Sequence, residues 1–482
     1  MLFKNQLAPD RHLHICLLAL ISCLYVVTAT GCAMGPDWQP PQPRVPPTWS
    51  GAATGVAAEP NKVAVQELVR WWTAFGDSTL TSLVDKAVQS NLDLKQAEAR
   101  VRQARAARGV LTAGLWPTAD FAGSYTRSRS QTGSVGIIGS LYQAGLDAAW
   151  ELDIFRAVGR DVEAADADIQ AGIEDQRDVL VTLAAEVALN YIDLRGFQQQ
   201  IVIAQDNLKA QRHSAELTRE RLRGGFVSTL DVANADALVA ATASQVPLLE
   251  SAAQQTIYTL SILLGLEPSA LVQELSAAAT IPAAPPTVPL GVPSELLRRR
   301  PDIRRAEAQI HAATARIGVA TADLFPKVTL SGSIGFQNNK LSSWADWSSR
   351  FWSFGPSISL PIFNAGRIRS NIELQKALRD ELLIAYQRTV LTAMQDVEIA
   401  LIASTKEQEH RKALTDAVTA NRKAVELATQ LYAQGQTDFL NVLQAQRALY
   451  VSEDAVVQST RSVSTDLVAL YKALGGGWSD QS

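Results

Sequence analysis

The stretch "LDLKQAEARVRQARAARGVLTAGLWP", from Leu92 to Pro117, returns without gaps as "PDIRRAEAQIHAATARIGVATADLFP", from Pro301 to Pro326, with twelve of twenty-six positions identical. Such agreement marks an internal duplication. The same order continues downstream: "LDIF" at Leu152 matches "LPIF" at Leu360, "GGFVSTLDV" at Gly224 matches "QGQTDFLNV" at Gln434, and "LLGLEP" at Leu263 matches "ALGGGW" at Ala473. Two structural repeats are therefore expected, at 71–280 and 294–478, joined by the Pro-rich linker "IPAAPPTVPLGVP" at 281–293 and followed by a short tail at 479–482.

Within each repeat the hydrophobic period changes in the same way. Roughly Thr79 to Ala113, and Ser294 to Asp323, read as amphipathic helix. After Trp116-Pro117 the pattern alternates, with Ala119, Phe121, Gly123 and Tyr125 on one side and Asp120, Ser124, Thr126 and Ser128 on the other. That period of two predicts a strand, with a partner at about Leu141 to Leu152. The second repeat offers Val328, Leu330, Ile334 and Phe336, then Trp352, Phe354, Ile358 and Leu360, so hairpins are expected at about 117–152 and 326–361. Four strands leave two open edges and enclose nothing. Either both hairpins pack on helices, or several chains pool strands into a transmembrane barrel, apolar outward and polar inward. Three chains related by cyclic symmetry would supply twelve strands.

Between Gly366 and Gly435 lie 68 residues with neither Gly nor Pro. As one helix they would extend about 100 Å. Arg156 to Arg223 has the same length. Long helical hairpins are thus expected at 156–264 and 366–474, each returning through a shorter helix. Apolar residues such as Ile368, Ile372, Leu382, Tyr386, Val390 and Val397 recur near the spacing of a coiled-coil seam. Gly225 and Gly435 suit the left-handed position that ends a helix. Ser228 with Asp231, and Asp438 with Asn441, suit the start of the returning one. Arg219, Arg221 and Arg223 fall in the last turns of the first long helix, where cations favour its dipole.

The amino terminus reads as an export signal. Lys4 and Arg11 precede an apolar run from Ile15 to Val27, and "ATGC" ends at Cys32. A signal peptide at 1–31 and a lipidated segment at 32–70 follow, with Cys32 as the attachment point. Of three cysteines, Cys16 and Cys23 lie within the signal, so the mature chain would have no internal disulfide. The net charge is −4, with no basic block, which argues against a nucleic-acid partner. His213, His311 and His410 are scattered, and no zinc-ligand spacing, phosphate loop or nucleophile elbow appears, so no enzyme and no cofactor beyond the lipid is expected.

"GCAMGPDWQPPQ", "WWTAFGD" at Trp71, "RRRPDIRRAEAQI" at Arg298, "LFPKVTLSG" at Leu324, "LPIFNAGRI" at Leu360 and "LYKALGGGW" at Leu470 occur in one order. In these motifs the chain resembles outer-membrane efflux lipoproteins of the OprM/NodT type, in the TolC superfamily. The resemblance implies a membrane α+β fold: a homotrimeric twelve-stranded barrel in the outer membrane, continuous with a periplasmic helical barrel. It implies the exit duct of a tripartite pump, working with a periplasmic adaptor and an inner-membrane transporter of the resistance-nodulation-division type. A type I secretion duct, or a non-conducting periplasmic scaffold, is the alternative.

Carried over by motif, the adaptor-contacting tips are Gly225, Phe226, Val227, Gly435, Gln436 and Thr437. The gate positions are Asp231, Tyr432, Asn441, Gln444 and Arg447. At Asn441 and Gln444 relatives commonly carry carboxylates. Amides there would hold no net charge, and weaker cation selectivity of the closed state is expected.

Overall fold

The computed structural model describes residues 33–50, 68–132, 135–285 and 293–479. Cys32 and the signal lie outside these residues, as do 51–67, 133–134, part of the linker at 286–292, and 480–482. Thirteen elements position the site. Helices α1 (Ser78–Ser90) and α2 (Leu92–Ala113) lead to strands β1 (Thr118–Thr132) and β2 (Val135–Leu152). Helices α3 (Ala157–Arg223) and α4 (Thr229–Leu263), with a single turn α5 (Val272–Leu275), complete the first repeat. The second comprises α6 (Pro293–Arg299), α7 (Pro301–Ala322), β3 (Lys327–Asn338), β4 (Arg350–Ser359), α8 (Arg367–Ala433) and α9 (Phe439–Ala473).

The duplication is visible in these lengths. Both long helices have 67 residues and both returning helices have 35. Two expected helices are each split. Asn91 interrupts the first with extended backbone, its Oδ1 accepting from Leu94 N at 2.9 Å and its Nδ2 donating to the Leu263 carbonyl at 2.8 Å. The continuous helix expected from Ser294 to Asp323 breaks before Pro301, whose ring disfavours helical backbone at Arg300. The fourth strand also stops short, at Ser359, so Leu360 lies outside the sheet.

The chain divides into two compact units. The first (1–41, 101–172 and 306–385) holds the sheet, whose strands run antiparallel in the order β1-β2-β3-β4. Register places Tyr125 opposite Tyr142, Leu146 opposite Ile334, and Ile334 opposite Trp352. One face therefore carries Phe121, Tyr125, Tyr142, Leu146, Ile334, Trp352 and Phe354, nearly all solvent-exposed in a single chain. The other carries Asp120, Ser124, Gln143, Asp147, Ser333 and Ser353, the last two joined at 2.7 Å. On that polar face Gly145 pairs with Gly335, and a Cβ on Gly335 would stand 2.4 Å from the Ala144 carbonyl oxygen. The strands can approach only because both side chains are absent. Asp153 starts α3, accepting from Val158 N at 3.0 Å and Gly159 N at 2.7 Å.

The second unit (42–100, 173–305 and 386–482) holds the main apolar core. Trp71 stacks on Tyr471 at 5.2 Å, above a buried set including Leu80, Leu83, Leu194, Leu260, Leu264 and Leu401. Trp478 closes it from the carboxyl end. Its ring lies 4.4 Å from the Arg177 guanidinium and 5.1 Å from that of Arg304, and its Nε1 donates to the Arg299 carbonyl at 3.1 Å. Among the described residues no helix is long and apolar enough to cross a membrane.

Candidate functional site

The two helical hairpins turn through the same motif. Gly225 donates to the Leu222 carbonyl at 2.9 Å and Phe226 to Arg221 at 2.9 Å; Gly435 donates to Tyr432 at 3.0 Å and Gln436 to Leu431 at 2.9 Å. These paired bonds define a Schellman ending, in which the glycine must be left-handed. Both glycines have φ of +76°. Ser228 and Asp231 then form a reciprocal capping box: Ser228 N donates to Asp231 Oδ2 at 2.9 Å, and Asp231 N to Ser228 Oγ at 3.3 Å. At the second turn Asp438 makes no such side-chain cap, and Asn441 Nδ2 instead donates to Thr437 Oγ1 at 2.7 Å.

Below the turns Tyr432 is buried with Phe439, Val442, Ala215 and Ala235, and Val227 packs against this cluster. The Tyr432 hydroxyl faces Thr218 Oγ1 at 3.5 Å. Asp231 faces Ser228, so within one chain Asp231 and Tyr432 do not bond each other. Phe226 is 75% exposed, and Gly225, Gly435 and Gln436 are exposed beside it. Gln444 and Arg447 line a shared groove of about 510 Å³ with Leu414, Asn421, Val451 and Ser452. The structure thus brings Tyr432 and Val227 together, groups Gln444 with Arg447, and leaves Asn441 at its own turn.

The residue that joins the hairpins is one that sequence reasoning assigned elsewhere. Arg221 serves a different helix from its own. Its Nη1 donates to the Tyr432 carbonyl at 2.6 Å and the Ala433 carbonyl at 3.3 Å, while its guanidinium lies 4.6 Å from the Tyr432 ring. It therefore caps the carboxyl end of α8, where orphan carbonyls concentrate partial negative charge. Of the neighbouring arginines, Arg219 bridges Glu216 and Asp236, and Arg223 stays near Glu216 and Glu220.

A polar seam continues below the turns. Gln446 Nε2 donates to Ser214 Oγ at 2.7 Å, Asn207 Nδ2 to Glu453 Oε2 at 2.9 Å, and Gln200 Nε2 to Asp454 Oδ1 at 2.7 Å. Side chains at 200, 207, 211, 214 and 218 of α3 fall along one stripe. Gln211 breaks the series, with both amide atoms buried and unbonded.

The sequence model described as outer membrane efflux protein matches residues 83–266 and, separately, 292–476. The chain belongs to that family. Pyoverdine export outer membrane protein OpmQ of Pseudomonas putida is 36% identical over 97% of this chain and 98% of its own length. Outer membrane protein OprJ of Pseudomonas aeruginosa is 33% identical over 95% of both chains, and Nodulation protein T of Rhizobium leguminosarum 31% over 93% and 95%. Among solved structures the outer-membrane channel OprN superposes with a TM-score of 0.87 at 37% identity, covering 93% of this chain and all of that one. As an outer-membrane efflux channel protein, this member shares the fold of that solved channel. Each matched stretch contains one β-hairpin and one long helical hairpin.

Proposed function

We propose that three copies close their sheets into a twelve-stranded barrel and work as the gated exit duct of a tripartite pump. The observation that carries this is the sheet itself. One face is apolar and exposed, the other small and polar, and β1 and β4 both have unpaired edges. A lone four-stranded sheet in lipid would strand those backbone groups, whereas closure by cyclic symmetry satisfies them.

The hairpin turns are the valve in this reading. Tyr432 and Asp231 help keep it shut, Asn441, Gln444 and Arg447 line the approach, and the Arg221 cap holds the two turns of each chain together. Gly225, Phe226, Val227, Gly435, Gln436 and Thr437 are the surface offered to a periplasmic adaptor, with an inner-membrane transporter of the resistance-nodulation-division type behind it. A diacylated Cys32 anchors the amino terminus. The duct is a conduit rather than a catalyst. Relatives named for toluene efflux and for pyoverdine export differ widely in cargo, which supports placing cargo selection in the transporter and adaptor.

Single-channel recording on protein extracted from outer membranes, with particle mass measured on the same sample, tests the reading. A trimeric particle with small, mostly closed conductance that rises in Asp231→Ala with Tyr432→Ala is expected. A monomer, or a trimer that never conducts in the doubly substituted form, would overturn it.

A further inference from the structure

The lipid-facing rows of the sheet carry charge in one place only. From the register, the apolar face comprises Ala119, Phe121, Gly123, Tyr125, Arg127 and Arg129 on β1; Ile138, Ser140, Tyr142, Ala144, Leu146, Ala148 and Trp150 on β2; Val328, Leu330, Gly332, Ile334 and Phe336 on β3; and Arg350, Trp352, Phe354, Pro356 and Ile358 on β4. The two central strands have no charged residue on this face. The edge strands have three arginines and no carboxylate, all toward the end of the sheet that carries the hairpin loops.

Their height relative to the apolar band is informative. Tyr125 and Tyr142 pair with ring centroids 4.8 Å apart, forming the aromatic level expected at a membrane boundary. From Trp150 to Tyr142 the strand rises about 27 Å, or about 21 Å along the membrane normal at a tilt near 40°, close to the height of an apolar band. Arg127, opposite Ser140, is one outward position beyond Tyr125, and Arg129 is the next. Both side chains are exposed. Arg350, also exposed, is the first residue of β4 at the hairpin-loop end, with its guanidinium 4.0 Å from the Trp347 ring. Beyond the hydrocarbon these groups stand among lipid headgroups, where arginine's fork matches phosphate oxygens.

We propose that Arg127, Arg129 and Arg350 form a binding site for a phosphorylated glycolipid of the outer leaflet. The site rests on the trimeric reading above, because cyclic closure sets β4 of one copy beside β1 of the next. Arg350 of one chain and Arg127 and Arg129 of its neighbour then border one seam, three times around the barrel. A lipid with two phosphates bridges the seam, its sugar headgroup above the aromatic level and its acyl chains along Phe121 and Phe354. It staples the strand pair formed between chains, at the point where the barrel has no hairpin to hold it.

Native mass spectrometry of the intact particle tests this, with three titrants: diphosphoryl lipid A, its monophosphoryl form, and phosphatidylglycerol. Saturable uptake of up to three diphosphoryl molecules per trimer is expected. Binding should fall about tenfold for the monophosphoryl lipid and about a hundredfold in the Arg127→Ser, Arg129→Ser, Arg350→Ser variant. Single Arg350→Gln, expected to weaken binding about fivefold, covers failure of the triple variant to assemble. Equal binding of all three lipids, or unaltered uptake by the variants, would overturn the site and leave the arginines as a solvated rim. A particle of monomer mass would instead refute the trimer on which the seam depends.

Discussion

Replacing Arg221 by alanine should open the duct. The substitution removes a charge-assisted hydrogen bond of 2.6 Å to the Tyr432 carbonyl, a longer one of 3.3 Å to Ala433, and a cation held 4.6 Å from a buried ring. A short bond to a charged donor contributes about 1.5 kcal/mol, the longer one less, and the ring contact about 1 kcal/mol. These terms overlap, and water can reach the freed carbonyls, so about 2 kcal/mol per chain is the realistic loss. If opening separates the two turns, that loss shifts the equilibrium of each chain about thirtyfold toward the separated state. Planar-bilayer recordings at equal protein loading read this as a rise in open fraction. Arg221→Lys, which keeps the charge but lacks the planar fork, should fall between the two. An open fraction identical to wild type in Arg221→Ala, in a preparation where Tyr432→Ala does open, would refute the role given to this residue.

Gln211→Met should act in the opposite direction. It removes two buried, unbonded amide atoms at similar volume, so the thermal midpoint should rise, by the equivalent of about 1 kcal/mol; a lower midpoint would count against it. Asn441→Asp with Gln444→Glu should increase cation selectivity of the closed state, read from reversal potentials in a salt gradient. Gly435→Ala places a side chain at φ of +76°, with its Cβ 3.6 Å from Arg221 Nη2. It should cost about 1 kcal/mol and speed amide exchange at residues 431–437. Burial, and then the nearby Glu407, raise the pKa of Asp466 above the usual carboxylate range. The folded chain therefore holds that proton more tightly than the unfolded one, and the penalty for charge is complete only above the raised value. Asp466→Asn should accordingly stabilise near neutral pH, by under about 1 kcal/mol, with the gain vanishing below the usual carboxylate range.

Much of this fold is written in periodicity. A change from period 3.6 to period 2 at Trp116-Pro117 is a local signal, and the strands begin there. Long uninterrupted helices and their glycine endings are local as well. The break at Arg300 is local too, set by Pro301, whereas helix-compatible sequence flanks the one at Asn91. Asn91 is extended because Leu263, distant in sequence, accepts its amide. The same limit applies at the site. Tyr432 and the glycines could be placed by motif, but the partner of Arg221 is 211 residues away. Charge near a helix end is readable from sequence; which helix end it serves is a property of packing.

The duplicated halves are not equivalent where they meet. Arg221 aligns with Leu431, so the first turn donates a cap that the second cannot return. An ancestral pair of identical hairpins would have had no preferred order. Here one copy has become the giver and the other the receiver, and divergence at a single aligned position has given the contact a direction. A ring assembled from such chains therefore has a sense of rotation at its mouth, and its two kinds of turn are free to specialise, one for holding and one for being released.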